Sequence, residues 1–322
     1  MHKKFVNHCT INLTIIPDGP ILIKSGKEGA DPTKPDMEFV ETYHAGGRSI
    51  YLPGSSLKGA IRAHAERIVR TVGSEERPSE NTQELWANNP LKNDSYLENL
   101  KKQNSNNPSI GANLYKLSSF TDQMFGNTSI ASRVRIEDAY PDKSQPLKIE
   151  ERNGVAIDRV FGSVAVGPFN YQVCTAGEFH TKIHLKNFTL AQLGLIGLVL
   201  RDLDDGWFGL GFAKSRGLGT VQVKLNSAIV QYPGCELIDK QIHAFGSQKQ
   251  WNHTFLLGAG EFLEPEEAKL YSFPKPDSQD TPVAAQEMDL GFGVQLTWRE
   301  GTVNDLFERG VRSWSGLLVV SR

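Results

Sequence analysis

From His8 to Ile15 polar and apolar residues alternate without a break. Cys9, Ile11, Leu13 and Ile15 fall on one side, and His8, Thr10, Asn12 and Thr14 on the other. A two-residue period over this length reads as a strand with one buried face, which commits the chain to a sheet covered on one side. Glu178–Leu185 repeats the pattern, with Phe179, Thr181, Ile183 and Leu185 set against His180, Lys182 and His184. Ile130–Ala139 reads as a third such strand, with Ser132, Val134, Ile136 and Asp138 on one face and Arg133, Arg135 and Glu137 on the other.

Helical periods interrupt these strands. In Ser55–Thr71 the residues Leu57, Ala60, Ile61, Ala65, Ile68 and Val69 form one apolar stripe. Leu190–Leu203 is apolar on more than one face, so it reads as a buried helix, and Thr220–Leu225 reads as a last strand. The order strand, helix, strands, helix, strand predicts an α+β fold with a ferredoxin-like (RRM-like) β-α-β-β-α-β core.

Between these elements lie large additions. Residues 24–49 lack periodicity and read as a long loop, a length that in compact domains goes with function or disorder. Residues 72–117 read as an inserted, partly helical lobe, with a weak helical pattern around Trp86–Leu100. A hairpin-like excursion is expected within 141–176. The domain reading is therefore a core over 1–228, carrying the lobe at about 72–117 and a hairpin at about 154–177. A C-terminal extension over 229–322 has no assigned role.

The net charge of −2 excludes a field that is basic over the whole domain. The acidic excess lies in residues 241–322, so any nucleic-acid surface must be a local cluster of cations. Cys9, Cys174 and Cys235 are odd in number and widely spaced. They support neither a zinc site nor a disulfide framework, and a reducing cytoplasm is the expected compartment. No apolar run reaches membrane-spanning length, no membrane partner is expected, and no apolar signal core follows Met1-His2-Lys3-Lys4.

Three segments carry chemistry. Leu52-Pro-Gly-Ser-Ser-Leu-Lys-Gly-Ala-Ile-Arg62 feeds a turn into a helix start, where exposed amides, the hydroxyls of Ser55 and Ser56 and the cations Lys58 and Arg62 make a corner for phosphate. Ser55 or Ser56 can also cap the helix, and an ordinary capped amphipathic helix has the same sequence. Gly209-Leu-Gly-Phe-Ala-Lys-Ser-Arg-Gly-Leu-Gly219 sets Lys214 and Arg216 among five glycines, so backbone and charge can both approach a phosphate. It lacks the Gly-Lys-Ser/Thr ending of a P-loop. Gly154-Val-Ala-Ile-Asp-Arg159 precedes a segment holding Phe161, Phe169 and Tyr171.

In this order these segments resemble the RAMP superfamily (repeat-associated mysterious proteins). They are most similar to backbone subunits of type III CRISPR-Cas effector complexes, type III-D-like. Phe125-Gly126, Ser132-Arg133 and Asp138-Ala139 also match the family pattern, and the likeness covers roughly residues 5–225. The resemblance implies guide-RNA binding through Ser55, Ser56, Lys58, Arg62, Arg159, Lys214, Ser215, Arg216 and Gly217. It implies a thumb-like hairpin that pushes into the guide–target duplex, where an apolar tip unstacks a base step. The implied partners are guide RNA, target RNA and neighbouring effector subunits: other backbone subunits, a large polymerase-like subunit and small helical subunits.

The resemblance further implies a metal-dependent endoribonuclease, with an aspartate before the Pro-Gly-Ser-Ser motif cutting target RNA with Mg2+ or another divalent metal. Asp36 is the first candidate, as catalyst and metal ligand, because Asp36-Met-Glu-Phe-Val40 resembles the family's Asp followed by Val; Asp31 is the runner-up. Glu41 stands where the family usually has arginine. Two alternatives stay open: a non-catalytic scaffold of the same complex, and a stand-alone guide-processing endoribonuclease using His44 or His64. His180 and His184 share a strand face about 13 Å apart, too far to close on one metal, and read as surface or RNA-facing residues.

Overall fold

The computed structural model describes residues 4–26, 35–79, 84–92, 95–104, 107 and 109–320. The first alternating segment forms β1, His8–Pro17, inside a seven-stranded sheet. In chain order there follow α1 (Gly54–Val72), β2 (Val134–Ile136), β3 (Phe179–Lys186), α2 (Leu190–Asp204), β4 (Val221–Tyr232), β5 (Val294–Arg299) and α3 (Val303–Val320). The strands lie in the order β5-β4-β1-β3-β2, each antiparallel to its neighbour. Short strands at Gln286–Glu287 and Tyr140–Pro141 pair with β5 and β3. This mixed α/β, antiparallel architecture is consistent with a ferredoxin-like arrangement.

The period-two pattern becomes one buried and one open sheet face. Cys9, Ile11, Leu13 and Ile15 join Phe179, Ile183 and Leu185 of β3 and Leu57, Ile61, Ala65 and Val69 of α1 in the main core. α2 begins with a capping box, in which the Thr189 side chain accepts from the Gln192 N–H and the Gln192 side chain returns to Thr189. It is buried almost throughout because α3 covers its outer side. The two helices cross at Gly194 and Gly310, where a Cβ on Gly194 would lie 2.3 Å from the Gly310 carbonyl carbon. Only a residue without a side chain fits that crossing.

The third alternating segment keeps its period but makes a strand of only three residues. At its start Arg133 turns inward and is buried, its guanidinium 3.9 Å from the Tyr115 ring centroid and donating to the Asn187 carbonyl at 2.9 Å. At its end Ala139 leaves β3 and exchanges backbone hydrogen bonds with Leu52. Both detours serve long-range partners that a local pattern does not contain.

Three other expectations change. The stretch read as loop includes the hairpin Glu41–His44/Gly47–Ile50, and Met37 bridges to Tyr171. Within the inserted lobe, Trp86 is buried in an extended segment bridged to Ser74 through its backbone, and the first helix spans Tyr96–Gln103, followed by Ile110–Lys116. A boundary at residue 228 falls inside β4, and β5 extends the same sheet with Trp298 wholly buried. Residues of the lobe and of the C-terminal segment also share a second core, including Leu114, Tyr115, Ala259, Leu263 and Phe273. The C-terminal residues thus pack into both cores rather than standing apart from them.

Among the described residues no helix is long and apolar enough to cross a membrane. Cys9, Cys174 and Cys235 are free and buried.

Candidate nucleic-acid interface

α1 starts at Gly54 after Pro53, and neither Ser55 nor Ser56 caps it. The Gly54 N–H donates instead to Asp138 Oδ1 at 2.7 Å, and the Tyr140 hydroxyl donates to Asp138 Oδ2 at 3.2 Å. A carboxylate eighty-four residues downstream therefore takes the first amide that the sequence offered to a phosphate. The glycine is also needed for packing, since a Cβ there would lie 2.3 Å from the Ile136 carbonyl oxygen. Pro53-Gly54 brings the helix against β2.

One turn on, the two cations take different partners. Lys58 Nζ donates to Ser132 Oγ at 2.8 Å, and partial burial, then the nearby Arg62 charge, pull its pKa down. Arg62 donates to Asp122 Oδ1 at 2.7 Å, Glu66 Oε1 at 2.8 Å and the Gly126 carbonyl at 2.9 Å. Its fork binds α1 to the short helix Phe120–Phe125. Lys58 faces a cleft; Arg62 faces protein.

That cleft, about 480 Å³, lies between the first turn of α1 and the edge of the sheet. Lys58, Arg135, Lys186, His8 and His184 line it together with Ser55. It runs on to a second hollow of about 730 Å³ that shares Arg135 and adds His44, Tyr140, His180 and Lys182. Both lie along the open sheet face, whose register sets His8 beside Lys186, Thr10 beside His184 and Asn12 beside Lys182. Arg135 lies opposite His184 on β2. The cations concentrate in the first hollow, while the second also holds the carboxylates of Glu137 and Asp138, so the chain's net negative charge coexists with a local basic cleft.

The glycine-rich segment is a built turn. Its flanks are pinned by hydrogen bonds from Phe212 N to Leu22 O at 2.7 Å and from Gly219 N to Pro20 O at 2.8 Å. Gly211 (φ +78°) and Gly219 (φ +90°) are in the left-handed region, and a Cβ on either would approach a backbone carbonyl oxygen within 2.2 Å. These two glycines serve the fold. Gly217 (φ +81°) has open space around it, in an exposed run with Lys214, Ser215 and Arg216.

The hairpin comprises Lys148–Ile157 and Val164–Ala176, and so begins before residue 154. Its tip is folded by Asp158, whose Oδ1 accepts the N–H groups of Val160 and Phe161, both at 2.8 Å. Val160 is 81% exposed and Phe161 85%, beside the exposed Arg159. Asp36 sits against the same hairpin, where its exposed carboxylate accepts the Asn170 N–H at 2.9 Å. Asp31 lies outside the described residues.

Mg2+ is commonly bound through one or two carboxylates with water and substrate phosphates. An exposed Asp36 carboxylate is a donor of that kind. Among the described residues the cluster whose ligand atoms lie within 4.8 Å of one another is elsewhere, at Asp142, Glu178 and His180. There Asp142 already accepts from Ser144, and His180 Nε2 lies 3.2 Å from Asp142 Oδ2. His184 pairs separately with Glu137 at 2.9 Å. His64 is buried, 2.7 Å from Asp202 and stacked on Phe208, so substrate cannot reach it. His44 is exposed and stacks on Tyr140 with centroids 3.6 Å apart.

Motif reading missed Phe5, His8, Arg135 and Lys186 as lining residues. The signal was present: His8, Arg135 and His184 all lie on polar sides of alternating strands. Nothing local marked Asp138 as the partner of the α1 amide.

A comparison with protein families matches residues 14–222 to the RAMP superfamily. No curated protein matches the chain.

Proposed function

Because the chain belongs to the RAMP superfamily, whose proteins typically bind RNA and work in multi-subunit CRISPR complexes, we propose that it is a guide-RNA-binding backbone subunit of a type III effector complex. The observation that carries this reading is Lys58. It borders the basic cleft and hydrogen-bonds to a neutral hydroxyl, so its charge is available to a phosphate. Ser55 and the exposed run Lys214–Gly217 supply further sequence-blind contacts. Arg62 contributes by holding α1 in place. Arg159 lies at the tip of a hairpin that wedges into the guide–target duplex.

Within the same reading, Asp36 takes part in cutting target RNA. What supports this is its contact with the hairpin, through the Asn170 N–H. A divalent metal held by Asp36 would supply positive charge to the phosphate under attack. Asp36 itself holds that ion or accepts the proton of the attacking 2′-hydroxyl. The Asn170 N–H keeps the carboxylate oriented.

The test is RNA binding by Lys58→Ala and Arg216→Ala as salt is varied. Each variant binds more weakly to RNA of any sequence, and each lowers the slope of log affinity against log salt by about one phosphate contact. A loss confined to one RNA sequence, with the slope unchanged, contradicts the backbone grip.

A further inference from the structure

At the basic cleft three rings follow one another across the sheet edge. Phe5 and His8 have centroids 5.7 Å apart, and His8 stacks on His184 at 5.5 Å with planes 25° apart. Phe5 is half exposed, so part of its ring is open to a partner. Lys58, Arg135 and Lys186 surround the ladder, and the cleft lining holds no carboxylate. Two acids touch lining residues from outside: Glu137, engaged by Arg135 at 3.0 Å and by His184 at 2.9 Å, and Asp138, engaged by the Gly54 N–H at 2.7 Å. Cations alone would suit any anion, and rings alone any apolar group. Rings flanked by cations in about 480 Å³ suit one nucleotide, with a base for the rings and a phosphate for the cations.

We infer that this cleft is a nucleotide subsite, in which one RNA base stacks on the Phe5–His8–His184 ladder while the adjoining phosphate rests on Lys58, Arg135 and Lys186. The inference builds on the RNA-binding reading and adds a base contact to what is otherwise a backbone grip. Stacking tolerates every base, so the subsite fixes the strand's position without choosing its sequence. Thr10 and Asn12 continue the polar face beyond the rings and give the strand a path toward the second hollow.

The experiment uses the full chain and a labelled single-stranded RNA oligonucleotide. Phe5→Ala weakens binding about tenfold, as expected for one lost stacking partner, with the salt slope unchanged because no phosphate contact is removed. Phe5→Trp restores the affinity and adds fluorescence quenching on RNA binding beyond that of the wild type. If Phe5→Ala and His184→Ala bind as the wild type does while Lys58→Ala is weakened, the subsite is overturned and the backbone grip stands. If Lys58→Ala and Arg216→Ala also bind as the wild type does, the RNA-binding reading falls and the subsite with it.

Discussion

Arg62 Nη2 and Asp122 Oδ1 meet at 2.7 Å, with the Asp122 side chain only 2% exposed. The other Asp122 oxygen accepts from Asn88 at 2.6 Å, so one buried carboxylate ties α1, the inserted lobe and the short helix Phe120–Phe125 together. Removing Arg62 leaves the buried Asp122 carboxylate without its counter-charge, so Arg62→Ala is expected to lower unfolding stability by roughly 3 kcal/mol in urea titrations. Asp122→Ala is expected to destabilise in the same direction but by less, because the guanidinium left behind is partly exposed, keeps Glu66 and can be resolvated. Neither is expected to change the salt slope of RNA binding. A slope reduced by Arg62→Ala would return that residue to the phosphate corner.

Asp36→Asn separates cutting from binding. An asparagine oxygen still accepts the Asn170 N–H, so the loop keeps its place on the hairpin while the charge is lost. In an assembled complex given labelled target RNA and Mg2+, the expected result is loss of one or more evenly spaced cuts with guide and target affinity intact. Unchanged products would leave this chain as scaffold.

The alternating strands were legible because their period is local. β1 and β3 lie within one or two residues of the expected ends, and the polar sides of both became the open face. The shared face of Lys58 and Arg62 was legible for the same reason. What each cation binds was not, since Asp122 and Ser132 are 60 and 74 residues away. The helix cap failed likewise, with Asp138 reaching Gly54 across 84 residues. β5 was hidden because its partners, Ser227–Tyr232, straddle the boundary drawn at residue 228 from the weakening of local pattern.

Asp277 gives stability a pH dependence. It is wholly buried beside the start of α2, and burial pushes its pKa up to about 7 despite hydrogen bonds from the Leu190 and Gly260 amides. The folded state thus holds the proton more tightly than the unfolded chain. The associated stability is complete below the usual carboxylate range and is lost as pH rises to about 7. His8 acts oppositely: burial first, then His184, lowers its pKa, so its share is lost as pH falls below the ordinary histidine value. Comparing wild type with Asp277→Asn from pH 5 to 8 removes the His8 part. The wild type should lose more stability over that rise, and parallel curves would show that Asp277 does not titrate there.

Gly211→Ala tests whether the glycine loop is preformed. The substitution forces a left-handed backbone on alanine, at about 1–2 kcal/mol, and drives its Cβ toward the Leu22 carbonyl oxygen. Lys214 and Arg216 keep their charges. RNA affinity should fall although no cation is removed, and thermal stability should fall with it. Gly217→Ala, in open space, carries the left-handed strain but no backbone clash, so its stability loss should be the smaller of the two.

The residues of the hairpin tip do nothing visible for the fold. Val160 and Phe161 are almost fully exposed, and Ile157, Val164 and Val166 are more than half exposed nearby. A run of exposed apolar side chains on a protruding hairpin is a contact surface awaiting something apolar, such as the face of an unstacked base. The double substitution Val160→Ser, Phe161→Ser should therefore leave unfolding stability within about 0.5 kcal/mol, while Asp158 still folds the turn through backbone hydrogens alone. In a guide–target duplex carrying 2-aminopurine, the fluorescence increase that marks an unstacked base should be lost. If that increase survives the double substitution, the wedge lies elsewhere, and the exposed tip must meet a neighbouring subunit instead.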